Sequence, residues 1–245
     1  MTVLIVLHLT RFNSGGSGIR VRQPVSPAVR RRLQASFEHG TKSAAGGNFD
    51  YATNMFLQCV KGDPEAILLV EFAGEDRDEQ IRRLQQLVEL MGELGLPGGV
   101  VEVIDPAVQR EFWEVRKAGL NIMMSMKGDG KPVSFIEDCA VPLEHLAEYT
   151  DRLTQVFQKH GTRGTWYAHA SVGCLHVRPI LDMRRDGAQK MRAIAEEAAA
   201  LVQHYKGSYS GEHGDGLVRS EWIAPFFGPK LTTAFEEIKD IFDPR

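Results

Sequence analysis

Residues 66–104 read AILLVEFAGEDRDEQIRRLQQLVELMGELGLPGGVVEVI, and the change of period along this stretch decides the fold. Ala66 to Phe72, rich in branched apolar residues and of strand length, reads as a buried β-strand. From Asp76 to Leu94 the period lengthens: Ile81, Leu84, Leu87, Val88, Met91 and Leu94 fall on one face of a helix. Gly95, Pro97 and Gly98 stop that helix, and Gly99 to Ile104 returns to strand. Working outward toward the C-terminus, the pattern predicts a helix from Pro106, a strand Val133 to Ile136, and a helix from Pro142 to Lys159. Pro142 suits a first helical turn, because its fixed φ and missing N–H cost nothing there. Strands at Trp166 to Ala170 and Leu175 to Val177 follow, then a helix from Gln189 to Tyr205 and helical pieces after Val218. Strands and helices joined by short turns, with no glycine-rich phosphate loop, predict an α+β fold: a ferredoxin-like antiparallel sheet covered by helices.

Toward the N-terminus, Val3 to Leu9 reads as an opening strand, after which the apolar period is lost. Residues 1–48 hold Arg11, Arg20, Arg22, Arg30, Arg31, Arg32 and Lys42 against one acid, Glu38. Basic, Gly/Ser-rich arms can bind nucleic acid, but this one lacks interleaved aromatics and any recognition motif, so no nucleic-acid partner is expected. The expected division is a divergent, irregular segment over residues 1–60 and one domain over residues 61–245. The whole chain is 43% hydrophobic and 25% charged, which is ordinary for a water-soluble domain. The apolar run Val3 to Leu7 is too short to span a bilayer and lacks a basic leader, so a cytoplasmic protein, or one peripheral at the inner membrane, is expected. Cys59, Cys139 and Cys174 are scattered and odd in number, which argues against disulfides and thiolate zinc clusters and for buried small residues.

The sharpest chemical feature is a pair of motifs: His169-Ala-Ser-Val-Gly-Cys-Leu-His176, and Ser210-Gly-Glu212-His213-Gly-Asp215-Gly216. In one unbroken strand, residues seven apart face opposite sides, so His169 and His176 can converge only if the chain bends, and Gly173 can supply the bend. Two imidazoles with the Glu212 carboxylate would hold a divalent cation and leave positions open for substrate. Zinc comes first for such a set, with manganese and iron as alternatives. The other histidines, His8, His39, His145, His160 and His204, have no partner pattern. The ligand set alone leaves three classes open: a redox enzyme, a metal-dependent hydrolase using it to activate water, and a non-catalytic metal-binding or interaction module.

The same two motifs, with Val177-Arg-Pro179 after the first and Leu217-Val-Arg-Ser-Glu-Trp222 after the second, resemble the C-terminal domain of FAD-linked oxidases of the vanillyl-alcohol-oxidase type. That group includes D-lactate, glycolate and D-2-hydroxyglutarate dehydrogenases, and the wording is similar to the large bacterial members that also carry an iron-sulfur domain. The resemblance covers roughly residues 60–245. It implies metal ligation by His169, His176 and Glu212, and His213 as the base that takes the substrate hydroxyl proton while hydride passes to FAD. Arg116, in Trp113-Glu-Val-Arg-Lys117, matches a family arginine that would grip the substrate carboxylate through a bidentate fork. Many members have Gly-Asp-Gly-Asn where this chain has Ser171-Val-Gly-Cys174, and some carry a lysine where Ile136 and Glu137 stand. A second substrate carboxylate would then fall to Lys131 or Arg178. The family's flavin sits mainly in a preceding domain that this sequence does not contain, so the resemblance implies that the chain alone is inactive and needs that domain as a partner.

Overall fold

Alternation along one strand organises the first half of the chain. In the computed structural model, which describes residues 2–9, 66–94, 99–124 and 126–245, strand β2 (Ala66–Ala73) turns Leu68, Val70 and Phe72 toward helix α1 (Arg77–Glu93). Its alternate residues Ile67 and Leu69 pack instead with Phe112 of helix α2 (Pro106–Met124). A strand covered on both faces is apolar at nearly every position, and here the exposed Glu71 is the one charged residue in the run. Strand β3 (Val100–Val103) divides in the same way, Val100 toward the α1 cluster and Val101 and Val103 toward the α2 cluster. Strand β1 (Thr2–Leu9) lies between them in an antiparallel sheet of order β2-β1-β3, pairing Leu9 with Ala66 and Leu7 with Val100. Asp76 caps α1 by accepting from the amides of Asp78 and Glu79. The predicted face of α1 holds at Leu84 and Met91, but Leu94 is exposed and Gln80 is buried beside Gly74.

Residues 1–125 and 126–245 form two compact units. The second is built around strand β7 (Cys174–Leu181). Strand β6 (Gly164–His169) pairs along it from Gly164–Pro179 to His169–Cys174. Strand β4 (Lys131–Pro132) and strand β5 (Cys139–Ala140) pair with its two ends. Every one of these pairings is antiparallel, and with the helices they give the α+β class expected, in two sheets. Leu175, Val177 and Leu181 point into a core with Tyr149, Leu153 and Phe157 of helix α3 (Leu146–Lys159) and Ile194, Ala198, Leu201 and Val202 of helix α4 (Gly187–His204). By the two-residue period of the strand, Cys174, His176 and Arg178 lie on the opposite face.

The predicted strand Val133 to Ile136 is not one. Phe135 and Ile136 are consecutive and both enter the core, which no regular strand permits, so residues 133–138 leave the ladder between β4 and β5. The chain then runs through a short helix α5 (Gly216–Arg219) into helix α6 (Ile223–Phe242). Among the described residues no helix is long and apolar enough to cross a membrane. The basic arm over residues 10–48 and Cys59 lie outside the described residues.

Candidate active site

The bend expected at Gly173 is a hairpin. His169 ends β6, a 3-10 turn occupies Ala170–Val172, and Gly173 takes φ +69° before β7 begins. A side chain there would need the left-handed backbone region and would overlap the carbonyl oxygen of Val141. The turn places both histidines on neighbouring strands of one face, ring centroids 5.1 Å apart. Tyr167, paired with His176 across the ladder, stacks on that imidazole at 4.9 Å. His176 is buried, and burial pushes its pKa down, which keeps the ring in the neutral form that binds a cation. Burial also pushes the thiols of Cys139 and Cys174 up to about 12, so both remain protonated small residues of the interior.

The second motif is delivered by a different device. Ser208 exchanges two backbone hydrogen bonds with Ala140, which lays the following loop along β5. Gly211 then passes so close to β5 that a Cβ would sit 3.0 Å from the Asp138 carbonyl oxygen. Beyond it, the buried Asp138 carboxylate accepts from the amides of Glu212 at 2.9 Å and His213 at 2.8 Å, and from the Ser210 hydroxyl at 2.8 Å. The Arg219 guanidinium pairs with the same carboxylate and also donates to the carbonyl of Tyr209 at 3.0 Å and of Gly214 at 2.7 Å. Burial alone would raise the pKa of Asp138; the His213 amide, Arg219, the Glu212 amide and Ser210 together hold it well below the usual carboxylate range.

The result is convergence. Donor atoms of His169, His176 and Glu212 all lie within 4.8 Å of one another. Glu212 places one carboxylate oxygen 3.7 Å from His169 Nε2 and the other 3.4 Å from His176 Nε2. These separations are too long for hydrogen bonds. They suit ligands sharing one ion, since donors at zinc bond lengths in a tetrahedron stand about 3.4 Å apart. Glu137, His176 and His213 form a second close group, but there His213 Nδ1 is already 3.1 Å from Glu137 Oε1, a hydrogen-bond distance, and Glu137 is ion-paired to Arg178. The residues present therefore fit a divalent cation best at His169, His176 and Glu212. His213 Nε2 borders that group, 3.8 Å from Glu212 Oε2.

Of the remaining expected residues, Arg178 lies on the His176 face of β7, almost buried against Glu137. Lys131 pairs with Leu181 at the other end of β7, and its ammonium donates to the Met126 carbonyl, so it is not brought to the cluster. Arg116 lies on α2 in the first unit, half-buried, its guanidinium 5.5 Å from the Trp113 ring. Sequence reasoning missed Glu137, Asp138, Ser210 and Arg219. A signal was present: two adjacent acids between the apolar pairs Phe135-Ile136 and Cys139-Ala140 must be paired if that segment is buried.

Residues 30–245 match the family described as FAD linked oxidases, C-terminal domain, and the chain belongs to this family. It is similar to D-2-hydroxyglutarate dehydrogenase of Escherichia coli, 37% identical over 184 residues that make up 72% of this chain and 18% of that protein. It is also similar to D-lactate dehydrogenase of Anaerostipes hadrus, 25% identical over 186 residues covering 73% of this chain and 37% of that one. The chain thus spans much less than half the length of these relatives. Among solved structures, 4-ethylphenol oxidase from Gulosibacter chungangensis in an isoeugenol complex shares the fold, with TM-score 0.53, 13% identity, and 100% of this chain covering 52% of that one.

Proposed function

We propose that this chain is the substrate- and metal-binding domain of an FAD-dependent D-2-hydroxyacid dehydrogenase, of the D-2-hydroxyglutarate or D-lactate type, which oxidises the hydroxyacid to a 2-oxoacid. The observation that carries the reading is the convergence of His169, His176 and Glu212, with His213 at the edge of the group, in a chain of this family. A divalent cation at the three ligands, zinc before manganese or iron, supplies Lewis acidity that lowers the pKa of the substrate hydroxyl, and FAD supplies the hydride acceptor. The chain's own residues do the rest. His213 Nε2, at the edge of the ligand group, is the nitrogen placed to accept the hydroxyl proton. Tyr167 and the buried flank of β7 keep water from the His176 side. Arg178 lies on the site face of β7 but is committed to the Glu137 carboxylate, and Lys131 lies at the other end of that strand.

The partners in this reading are a flavin-binding domain and the iron-sulfur domain that the large bacterial members carry. The test is anaerobic mixing of the intact flavoenzyme containing this chain with D-2-hydroxyglutarate and with D-lactate, followed by flavin absorbance. Bleaching by one of them, lost in His213→Gln, is expected. An unreduced flavin with every D-2-hydroxyacid tried would overturn the reading.

A further inference from the structure

Glu137 is nearly buried and addresses two partners with its two oxygens. Oε2 forms an ion pair with the Arg178 guanidinium without a directed hydrogen bond, and Oε1 stands 3.1 Å from His213 Nδ1. Neither contact was foreseen, and no role attaches to Glu137 in the ligand set or the base assignment. We infer that Glu137 is a positioning residue: clamped by Arg178, it fixes the ring and tautomer of His213, with the proton on Nδ1 and Nε2 bare toward the cation group.

The argument is one of donors and acceptors. A guanidinium can only donate, so it always takes an acceptor oxygen from residue 137. The remaining carboxylate oxygen is also an acceptor, and the imidazole nitrogen facing it must then carry the hydrogen. The His213 amide is tied to Asp138 at 2.8 Å, which anchors the backbone from which the ring reaches Glu137. The His176 ring stacks against that of His213 at a centroid distance of 5.5 Å, inclined by 28°. Arg178 is thereby assigned to hold Glu137 rather than to grip substrate. Orienting carboxylates of this kind decide which imidazole nitrogen does chemistry in other enzymes.

Glu137→Gln tests this with almost no change of shape. In that variant Arg178 again takes the oxygen, so the side-chain NH2 is turned toward His213 Nδ1. Nδ1 must then accept, and the proton moves to Nε2. Nitrogen-15 histidine spectra of the metal-free full chain, recorded at alkaline pH where imidazoles are neutral, distinguish the two tautomers directly. The His213 signals are assigned by their loss in His213→Gln. The expected result is Nδ1–H in the parent chain, Nε2–H in Glu137→Gln, and return to Nδ1–H in Glu137→Gln/Arg178→Met, where the amide is free to turn its oxygen back. The same tautomer in the parent chain and in Glu137→Gln would overturn the inference, as would an inverted tautomer that persists in the double variant.

The catalytic use of this arrangement rests on the base role proposed above, and the two fail separately. In the intact flavoenzyme, Glu137→Gln is expected to lower kcat about 100-fold with KM nearly unchanged. An inverted tautomer with unchanged kcat would support the positioning and remove His213 as the base. An unchanged tautomer would remove the positioning whatever the rate.

Discussion

The two pieces of chain that build the site are held in opposite ways. The β6–β7 hairpin carries His169 and His176 on a backbone ladder six residue pairs long, whose far face is part of the core. The Ser208–Gly216 loop has two ladder-type bonds at Ser208 and one from the Gly211 amide to the Asp138 carbonyl, and its Glu212 and His213 amides both rest on one carboxylate, that of Asp138, which also holds Arg219 against the loop carbonyls. A ladder spreads its loss over many bonds, whereas a hub fails at once. Removing a single side chain should therefore hurt the loop more than the hairpin.

The largest expected effect follows from taking the hub away. Asp138→Ala leaves Arg219 buried without its partner and two amides unmet, which costs about 3–5 kcal/mol in urea unfolding of the full chain, with loss of metal binding. The hairpin's most sensitive point is Gly173, where Gly173→Ala meets an unfavourable φ and the Val141 carbonyl, for a cost of about 1–3 kcal/mol. A hairpin variant more damaging than the hub variant would break the comparison.

Acid sharpens the same contrast. The folded pKa of Asp138 is depressed, so its contribution to stability is complete above the ordinary carboxylate value of about 4 and is lost as pH falls below it. Stability of the parent chain should fall steeply through that range, and Asp138→Asn, already weaker at neutral pH, should show a shallower acid limb; equal slopes would show that Asp138 is not the group concerned. The smallest effect belongs to a link away from the site. Glu197 on α4 contacts His160 at 2.6 Å and Lys159 at 3.0 Å, partly in solvent, so Glu197→Gln should cost less than about 1 kcal/mol.

Much of this was legible in the sequence because it is local. The face of α1, the apolar run of β2 and the bend at Gly173 each depend on residues a few positions apart. The spacing of the histidines allowed convergence only through a bend, and Gly173 marked where the bend could be. The hub was illegible for the opposite reason. Asp138 acts on amides 74 and 75 residues further along, and no periodicity records such a pairing. The run Val133–Ile136 has the apolar content of a strand without the ladder: Phe135 and Ile136 both turn into the core, and the segment delivers Glu137 and Asp138 beside β7. Lys131 and Arg178 had equal standing as cations in the sequence. Only the register of β7 puts one on the site face and the other at the far end.

The central claim is that hairpin and loop meet on one cation. Metal content of the purified full chain, measured by mass spectrometry after equilibration with zinc and removal of free ion, tests it most directly, alongside His169→Ala and Glu212→Ala variants shown to be folded by circular dichroism. Close to one zinc per chain is expected, lost in both variants, although one ligand lies on the hairpin and the other on the loop. A folded parent chain that retains no divalent metal, or zinc that survives both substitutions, would contradict it.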